Sequence, residues 1–547
     1  MDRNRLIPFH WIILCVCLAC GGVLLFAFDS FASIWDDEVY QAICVRRYSE
    51  SPLGILTFFI GHVWSDIFGF SLLNLRVLAE VETLLAVGVA SAYLYRLSRR
   101  PLLTGVAFLL GCILMKACAF PIYNWDSGIY LFNSIAICLM VSACAKPGIV
   151  KYGLLGATIG VITLGRVPSG ILLPLAMTVA VWANRYNDSN FNSFKATGSI
   201  FLGWLAAMVI LTTIMAGSPS RYISLFTSDH IISGHSPLEN GSELFQRINF
   251  IVTKSAICWF PGLCCMLLAL LFSKLKNRMA QAIFLFMLIV FCCLISYRYT
   301  HYNLEMPLLL GGDGIIGIGL LLAYPLYALF NDSKSKNMVI MQLYGIGAVY
   351  FSMMFGSDAF IERVTAGFSI PVIIGLIWQL RIKPLRSYIR YFSGVTIIVF
   401  AFMLAVNFLC VTRYMDRHGY ETSMEPAAGI KTQTDWERNM RESREAIEFL
   451  KSRNTDYAVM VHHQYFELVF GPDRGLSFQE YSADLYRKDV WLKHKDEVMR
   501  RADAFVYPVS AGRIIDSDVL EDMRRQGYND SVRIGEAVVI YRDGYRK

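Results

Sequence analysis

The sequence predicts a polytopic α-helical membrane protein with a C-terminal extracytoplasmic α/β domain. Hydrophobic residues make up 55% of its 547 residues and charged residues only 17%, whereas charged residues form about a quarter of an ordinary globular protein. Long apolar runs fill residues 7–413, and the remaining stretch has the composition of a soluble protein. We therefore expect a transmembrane domain over residues 1–413 and a soluble α/β domain over residues 414–547.

A helix needs roughly 20 apolar residues to cross the hydrocarbon core of a bilayer, and about thirteen windows of this sequence are candidates. The predicted spans are 7–28, 72–95, 102–120, 128–145, 150–166, 168–183, 198–216, 250–272, 279–297, 306–330, 338–356, 366–380 and 393–412. Basic residues precede the first window, as in a signal peptide, but its apolar run is too long and lacks a convincing cleavage site. We therefore expect it to remain as the first span.

Basic residues predict the orientation of the spans, because lysine and arginine near span ends stay preferentially on the cytoplasmic side. With a cytoplasmic N-terminus, every inner loop is basic and the outer loops are mixed or acidic. The inner-loop residues are Arg96, Arg99, Arg100, Lys146, Lys151, Arg185, Lys195, Lys274, Lys276, Arg278, Lys334, Lys336, Arg381, Lys383, Arg386 and Arg390. An odd number of spans places residues 414–547 in the periplasm of a bacterial cell. These loops also explain the net charge of +7, which gives no indication of a nucleic-acid partner.

The C-terminal stretch alternates helical and strand patterns. Helices are predicted at 442–451, 484–501 and 516–526, and strands at 457–462, 504–509 and 537–541. The phosphate-binding motifs GxxxxGK[ST] and GxGxxG do not occur in the sequence, which argues against an ATP-driven pump.

Three consecutive carboxylates, Asp36, Asp37 and Glu38, follow the first predicted span on its outer side. Such a run is compatible with a solvated acidic loop, or with capping of a helix that starts near Glu38. It is also compatible with a carboxylate at the membrane face that accepts a proton from a hydroxyl or amine, or that holds a metal.

Three further segments accompany this acidic loop. Pro52-Leu53-Gly54 follows an amphipathic stretch, Asn124-Trp125-Asp126-Ser127-Gly128 lies at the outer start of the fourth span, and residues 156–174 form a glycine-rich span with Arg166 and a proline at its end. Together with the acidic loop they resemble the GT-C superfamily of membrane glycosyltransferases. The resemblance is to the branch of the protein O-mannosyltransferases and the lipid A aminoarabinose transferase, in which an Asp-Glu pair precedes a PPLG element. Residues 49–52 read Ser-Glu-Ser-Pro where relatives of the latter transferase carry Glu-Lys-Pro-Pro, so its phosphate-contacting lysine has no counterpart here.

The resemblance implies transfer of a sugar from a polyprenyl-phosphate-linked donor to a glycan, lipid or protein acceptor on the outer face of the inner membrane. A carboxylate would deprotonate or orient the acceptor, and cations would stabilise the departing phosphate. The first role is assigned to Asp37, with Glu38, Asp36 and Asp126 as orienting groups or ligands of a divalent metal. The donor phosphate is assigned to Arg166, Arg298, His301 and Arg363.

Other interpretations of the same residues remain open. Arg76 and Glu80 lie four apart on a predicted helix and could pair with each other, and Arg166 could reach only lipid headgroups. A polymerase or ligase of surface polysaccharide would share the lipid-phosphate chemistry, but it should show a large outer loop late among the spans. A transporter or lipid flippase would also be polytopic, although such proteins often show an internal repeat, which this sequence lacks.

Overall fold

The computed structural model describes the N-terminal helices and most of the C-terminal part of the chain. The described residues are 3–27, 29–30, 36–118, 122–171, 173–182, 192–226, four positions between 279 and 290, 419–423, 425–432, 436–453, 455, 457–461, 477–481, 488–508, 517–535 and 537–542. The N-terminal helices are α1 (Arg3–Phe26), α2 (Asp36–Arg46), α3 (Ile55–Phe68), α4 (Leu72–Ser98), α5 (Pro101–Cys118), α6 (Ser127–Ala145), α7 (Ile149–Gly165), α8 (Val167–Gly170), α9 (Leu173–Trp182), α10 (Ser193–Ala216) and α11 (Pro219–Leu225).

Each of the seven predicted spans before residue 217 coincides with helical structure, the sixth as the pair α8 and α9. Within the described part of the chain, three helices are long and apolar enough to cross a membrane, namely Phe9–Phe26, Leu72–Ser98 and Ser193–Ala216. Shorter apolar helices occur at Pro52–Phe68, Ser127–Met140 and Ile149–Gly165. The six predicted spans from residue 250 onward lie outside the described residues, apart from the four isolated positions.

The first outer segment contains more helix than its sequence pattern predicts. After α2, two short 3-10 turns (Tyr48–Glu50 and Pro52–Gly54) lead into α3, which has 14 residues. At 1.5 Å per residue α3 is about 21 Å long, shorter than a bilayer core of about 30 Å. It buries Ile55, Phe58 and Gly61 among others, so it packs on its neighbours over much of its length.

Two glycine-bearing faces allow α7 and α10 to approach each other closely. A Cβ added at Gly156 would lie 1.9 Å from the carbonyl oxygen of Ile200, and one added at Gly203 would lie 2.1 Å from that of Gly153. Small residues at such positions permit the backbone contact that joins helices in membranes. This packing holds α7, and therefore the residue that follows it, Arg166, in a fixed place.

The described residues of the C-terminal part form a five-stranded mixed sheet. The helices are α12 (Trp436–Ser452), α13 (Lys488–Arg501) and α14 (Ser517–Arg525), and the sheet strands are β3 (Tyr457–Val461), β4 (Ser477–Tyr481), β5 (Ala504–Pro508), β6 (Asp530–Ile534) and β7 (Ala537–Tyr541). A separate ladder joins β1 (Tyr420–Glu421) to β2 (Lys431–Thr432). The sheet order is β4-β3-β5-β7-β6, in which β3 is parallel to β4 and β5, and β7 is antiparallel to β5 and β6.

Alternate residues of the central strands supply two apolar cores, one on each face of this sheet. Val459 and Phe505 pack in one cluster with residues of α13 and α14. Ala458 and Val506 pack in the other with residues of α12. Because successive strand residues point to opposite faces, this division produces a three-layer α/β arrangement.

Candidate active site

The acidic run forms the first turn of α2, and its third residue is buried in an ion pair. Glu38 is 3% exposed and Arg76, on α4, is fully buried. The guanidinium donates from Nε to Glu38 Oε1 at 2.6 Å and from Nη2 to Oε2 at 2.7 Å. A two-point contact of this kind fixes the carboxylate in both position and orientation. Glu38 therefore serves as an anchor for α2.

A second cation, Lys116, binds the chain between α1 and α2. Lys116, on α5, donates to the Leu25 carbonyl at 2.6 Å, to Asp29 Oδ1 at 2.8 Å and to Glu80 Oε1 at 2.6 Å. Arg76 Nη1 donates to the Asp29 carbonyl oxygen at 2.8 Å. Burial raises the pKa of Asp29, and the charges of Lys116 and Arg76 oppose that rise. Two helices thus hold the end of the first span and the start of α2 together.

These contacts differ from the pairing of Arg76 with Glu80 that the four-residue spacing indicates. Arg76 instead reaches Glu38, and Glu80 reaches Lys116. The carboxylate of Glu38 can meet the planar guanidinium at two points, and the ammonium of Lys116 comes to Glu80 from the neighbouring helix. Pairing of residues four positions apart is typical of exposed helix surfaces. Arg76 and Glu80 are instead buried between helices, so each pairs with a residue of another segment.

Asp126 and Arg166, which lie 40 residues apart in sequence, meet as a buried ion pair. Arg166 Nη1 donates to Asp126 Oδ1, and the two residues are only 3% and 1% exposed. The other carboxylate oxygen of Asp126, Oδ2, is also buried and has no hydrogen-bond partner among the described residues. Since an unsatisfied buried carboxylate oxygen is costly, this atom is a candidate contact for a ligand.

Local turns place the two members of this pair. Asn124 Oδ1 accepts from the backbone N–H groups of Asp126 and Ser127, each at 2.9 Å, so the turn that starts α6 has a fixed shape. Arg166 follows the last residue of α7 and has an extended backbone (φ −157°, ψ 92°), which directs the chain away from the helix axis. Each partner therefore lies at a helix boundary.

Thr57 of α3 lies between the backbones that carry these two residues. Its hydroxyl donates to the Gly165 carbonyl at 3.0 Å, and a Cβ added at Gly128 would lie 2.4 Å from its Cγ2. Tyr123 donates to the Thr57 carbonyl at 2.5 Å. Burial, and then the charge of Glu82, raises the pKa of Tyr123 well above its usual value, so the phenol remains a donor. The close approach of α3 requires glycine at 128, whereas a Cβ added at Gly165 would lie 2.5 Å from Cγ2 of Ile129 on α6.

The Asp126 turn and α2 share one apolar core. Val39, next to Glu38, belongs to the same cluster as Phe58 and Tyr123, and Trp125 packs against it. The Phe58 and Trp125 rings are 6.4 Å apart. The structure thus brings the helix that begins with the acidic run and the Asp126–Arg166 pair to the same end of the helical bundle.

The other predicted site residues are placed less completely. Asp36 and Asp37 belong to the first turn of α2, but their side chains lie outside the description. Arg298, His301 and Arg363 are in the part of the chain that is not described. The sequence interpretation did not identify Lys116 or Thr57. Lys116 had a signal, because an ionisable residue in an apolar helix is often functional or paired, whereas Thr57 had none.

A divalent metal is not excluded by these side chains. Within the described residues, no three His, Cys, Asp or Glu side chains are grouped so that they could hold a metal ion. Asp126 Oδ2 is a described oxygen that could serve as one ligand, and carboxylate oxygens suit hard divalent cations. Further ligands would have to come from Asp36, Asp37 or undescribed residues.

No protein-family model and no curated protein sequence matches this chain at a significant level. Among solved structures, the Archaeoglobus fulgidus oligosaccharyltransferase in complex with Zn and sulfate is 10% identical, with a TM-score of 0.49, over 91% of this chain and 68% of that chain. ArnT from Cupriavidus metallidurans bound to undecaprenyl phosphate is 11% identical, with a TM-score of 0.46, over 98% of both chains. Both are GT-C proteins, the class that the sequence resembles.

Proposed function

We propose that this protein is an integral-membrane glycosyltransferase that transfers a sugar from a polyprenyl-phosphate-linked donor to a glycolipid, polysaccharide or protein acceptor. The observation that carries the proposal is the buried Asp126–Arg166 pair, which shares a packed outer region with the acidic helix α2. Both residues, and the acidic run, are positions where the sequence resembles the GT-C pattern. Buried ionisable groups among membrane helices are costly and are often functional.

The proposed reaction requires a base and a cation. The acceptor hydroxyl oxygen forms a bond to the anomeric carbon while the bond from that carbon to the donor phosphate oxygen breaks, and the bonding electrons leave with the polyprenyl phosphate. Asp37 takes the hydroxyl proton. Asp126 Oδ2 accepts a hydrogen bond from the acceptor and so orients it. Arg166 stabilises the negative charge on the departing phosphate, with Arg298, His301 and Arg363 as further candidate contacts.

Glu38 has a different proposed role from the one assigned from sequence. Both of its oxygens are used by Arg76, so a proton acceptor at this position would first have to leave a two-point ion pair. Glu38 therefore orients α2 and with it Asp36 and Asp37. A divalent metal near Asp126 remains a proposal, and no step above depends on it.

The proposed location follows from the charge pattern of the loops. The N-terminus is cytoplasmic, residues 1–413 form the multi-pass domain in a bacterial inner membrane, and residues 414–547 form the periplasmic α/β domain. In this orientation the start of α2, the Asp126 turn and Arg166 all lie at the periplasmic ends of their helices. The donor's phosphate group would meet them at that surface.

The direct test is transfer of radiolabel from isolated polyprenyl-linked sugars to membrane acceptors by the purified protein. Asp37→Asn should abolish transfer, and Arg166→Ala should reduce it strongly. Asp66→Asn is the matched control, because Asp66 is on the same outer segment with its side chain 68% exposed. Its variant should transfer label at the parent rate.

Three results would contradict the proposal. Full activity in Asp37→Asn, Asp36→Asn and Asp126→Asn alike would remove the assigned site. Uptake of a solute by proteoliposomes without any covalent product would indicate a transporter instead, and growth of a polysaccharide chain as the product would indicate the polymerase alternative.

A further inference from the structure

A short segment that follows the last predicted span folds onto the outer end of the helical bundle. We call residues 419–432 the strap. Its ends pair as β1 and β2, and the Thr422 N–H donates to the Ile430 carbonyl at 3.0 Å. The Thr422 hydroxyl donates to the carbonyls of Ala427 and Ile430 at 2.7 and 2.6 Å. Gly429 completes the turn with a φ of +82°, which favours glycine. The strap is therefore a compact structure of its own.

The strap binds the backbone at both ends of the first outer segment. The Lys431 N–H donates to the Ser30 carbonyl at 2.7 Å, and the Leu72 N–H donates to the Pro426 carbonyl at 2.8 Å. Leu72 is the first residue of α4, where backbone N–H groups have no partner within the helix. Ser30 and Leu72 enclose the segment that carries the acidic run, α2 and α3. Two backbone hydrogen bonds thus fix where this segment leaves α1 and enters α4.

Two strap side chains also complete the core beneath α2. Ala427 and Ile430 are fully buried in the cluster that contains Val39, Cys44 and Leu75. Full burial of an isoleucine side chain stabilises such a contact because it removes apolar surface from water. The rear of the acidic helix therefore packs on residues that come from the far end of the chain.

We infer that the strap is a positioning element, which holds α2, the helix that begins with the acidic run, in its place beside the Asp126 turn, and that the C-terminal domain contributes to activity through this contact. The catalytic part of this inference rests on the proposed function. The positional part rests only on the two hydrogen bonds and the shared core. A change in the strap should therefore loosen α2 before it loosens the rest of the bundle.

Cys44 provides a reporter within the protein itself. This thiol is on α2 and is 5% exposed in the shared core, and Cys138, on α6, is 8% exposed and belongs to the rest of the bundle. The rate of alkylation of each thiol by N-ethylmaleimide can be followed by peptide mass spectrometry in the full-length protein. Cys138 then reports general unfolding, and Cys44 reports release of α2.

We expect Ile430→Ala to raise the alkylation rate of Cys44 by about tenfold or more, because loss of a buried aliphatic side chain favours local opening. Cys138 should keep its rate. Ile430→Val should stay within about threefold of the parent because it keeps most of the buried volume. Tyr420→Ala is the matched control, since Tyr420 is in the strap but 54% exposed, and it should change neither thiol.

A second variant distinguishes release of α2 from a general folding defect. Gly429→Ala strains the turn without removing any core atom, and it should expose Cys44 selectively in the same way. An unchanged Cys44 rate in both Ile430→Ala and Gly429→Ala would overturn the positioning role, as would an equal rise at Cys44 and Cys138 in both.

Sugar transfer by the same samples separates this inference from the proposed function. Transfer should fall in Ile430→Ala and recover in Ile430→Val, in parallel with protection of Cys44. Selective exposure of Cys44 with full transfer would refute the catalytic part. Absence of transfer by the parent protein would refute the proposed function, and the result at Cys44 would still decide whether the strap holds α2.

Discussion

Removing Arg76 should destabilise the protein far more than removing the ion pair as a whole. In Arg76→Met, the Glu38 carboxylate loses contacts of 2.6 and 2.7 Å and the Asp29 carbonyl loses one of 2.8 Å. A buried charge without its partner costs about 3–5 kcal/mol, whereas replacement of both partners by apolar groups is often near neutral. The double variant Arg76→Met with Glu38→Met leaves no unpaired charge at Glu38, and of the contacts above it keeps the loss at the Asp29 carbonyl, about 1–3 kcal/mol. We therefore expect the double variant to be more stable than Arg76→Met alone.

The free energy of unfolding can be measured by adding sodium dodecyl sulfate to protein in mixed micelles and following tryptophan fluorescence. Glu38→Met completes the double-mutant cycle, and we expect a coupling energy of at least about 2 kcal/mol between the two positions. Additivity within about 0.5 kcal/mol would show that the two side chains act independently, which would refute the buried pair. Transfer activity adds a second criterion. If Glu38 only orients α2, the double variant should keep measurable transfer, and if Glu38 is the base, it should have none.

Three other substitutions test separate parts of the structure. Gly128→Ala should reduce both stability and transfer because its Cβ would lie 2.4 Å from Thr57, whereas Gly198→Ala, which meets nothing within 4 Å, should be neutral in the same assays. Lys116→Met should lower the unfolding free energy by about 3–5 kcal/mol because it leaves Asp29 and Glu80 without their shared cation. A loss of unfolding free energy no larger than that of the exposed-site control Asp66→Asn would contradict this. Tyr528→Phe should cost about 1 kcal/mol through loss of its hydrogen bond to the Ala502 carbonyl, and an unchanged unfolding free energy would argue against that bond.

The sequence predicts best those elements that a single local pattern determines. Apolar length predicts α4 and α10, and short apolar runs predict the strands β5 and β7 within about one residue. The apolar-length criterion does not predict helix α3. Its 14 residues are apolar but too few to span a bilayer, so the length criterion does not detect it. Part of its packing comes from α6 and α7, which lie much later in the chain. Elements that depend on distant partners are less visible in local patterns.

The same distinction separates the predicted site residues from those that the sequence analysis missed. Asp126 and Arg166 each stand out as polar residues beside apolar helices, but no spacing rule predicts that residues 40 positions apart form a pair. Thr57 sets their separation, yet a threonine in an apolar helix gives no sequence signal. Glu38 stood out in the sequence as an acid next to the first span, but its burial depends on Arg76. The sequence favoured a pair of Arg76 with Glu80 by a rule for exposed helix surfaces, which does not hold between buried helices.

Charge balance limits how Arg166 can bind a phosphate. In the described part of the chain, the buried cations Arg76, Lys116 and Arg166 each already face a carboxylate. Arg166 paired with Asp126 carries little net charge, so by itself it would attract a phosphate weakly. Donor binding should therefore draw the guanidinium partly away from Asp126, which leaves both oxygens of that carboxylate available to the acceptor.

We expect further positive charge for the phosphate to come from Arg298, His301 and Arg363, the candidates that the sequence places on the outer side. Each should weaken donor binding when changed to glutamine. In Asp126→Asn, by contrast, Arg166 loses its counter-charge, so this variant should bind the lipid-linked donor more tightly while it transfers sugar more slowly. Equilibrium binding of radiolabelled polyprenyl phosphate, measured beside the transfer rate, distinguishes this arrangement from one in which Asp126 and Arg166 only stabilise the fold, because that role predicts that both quantities fall together.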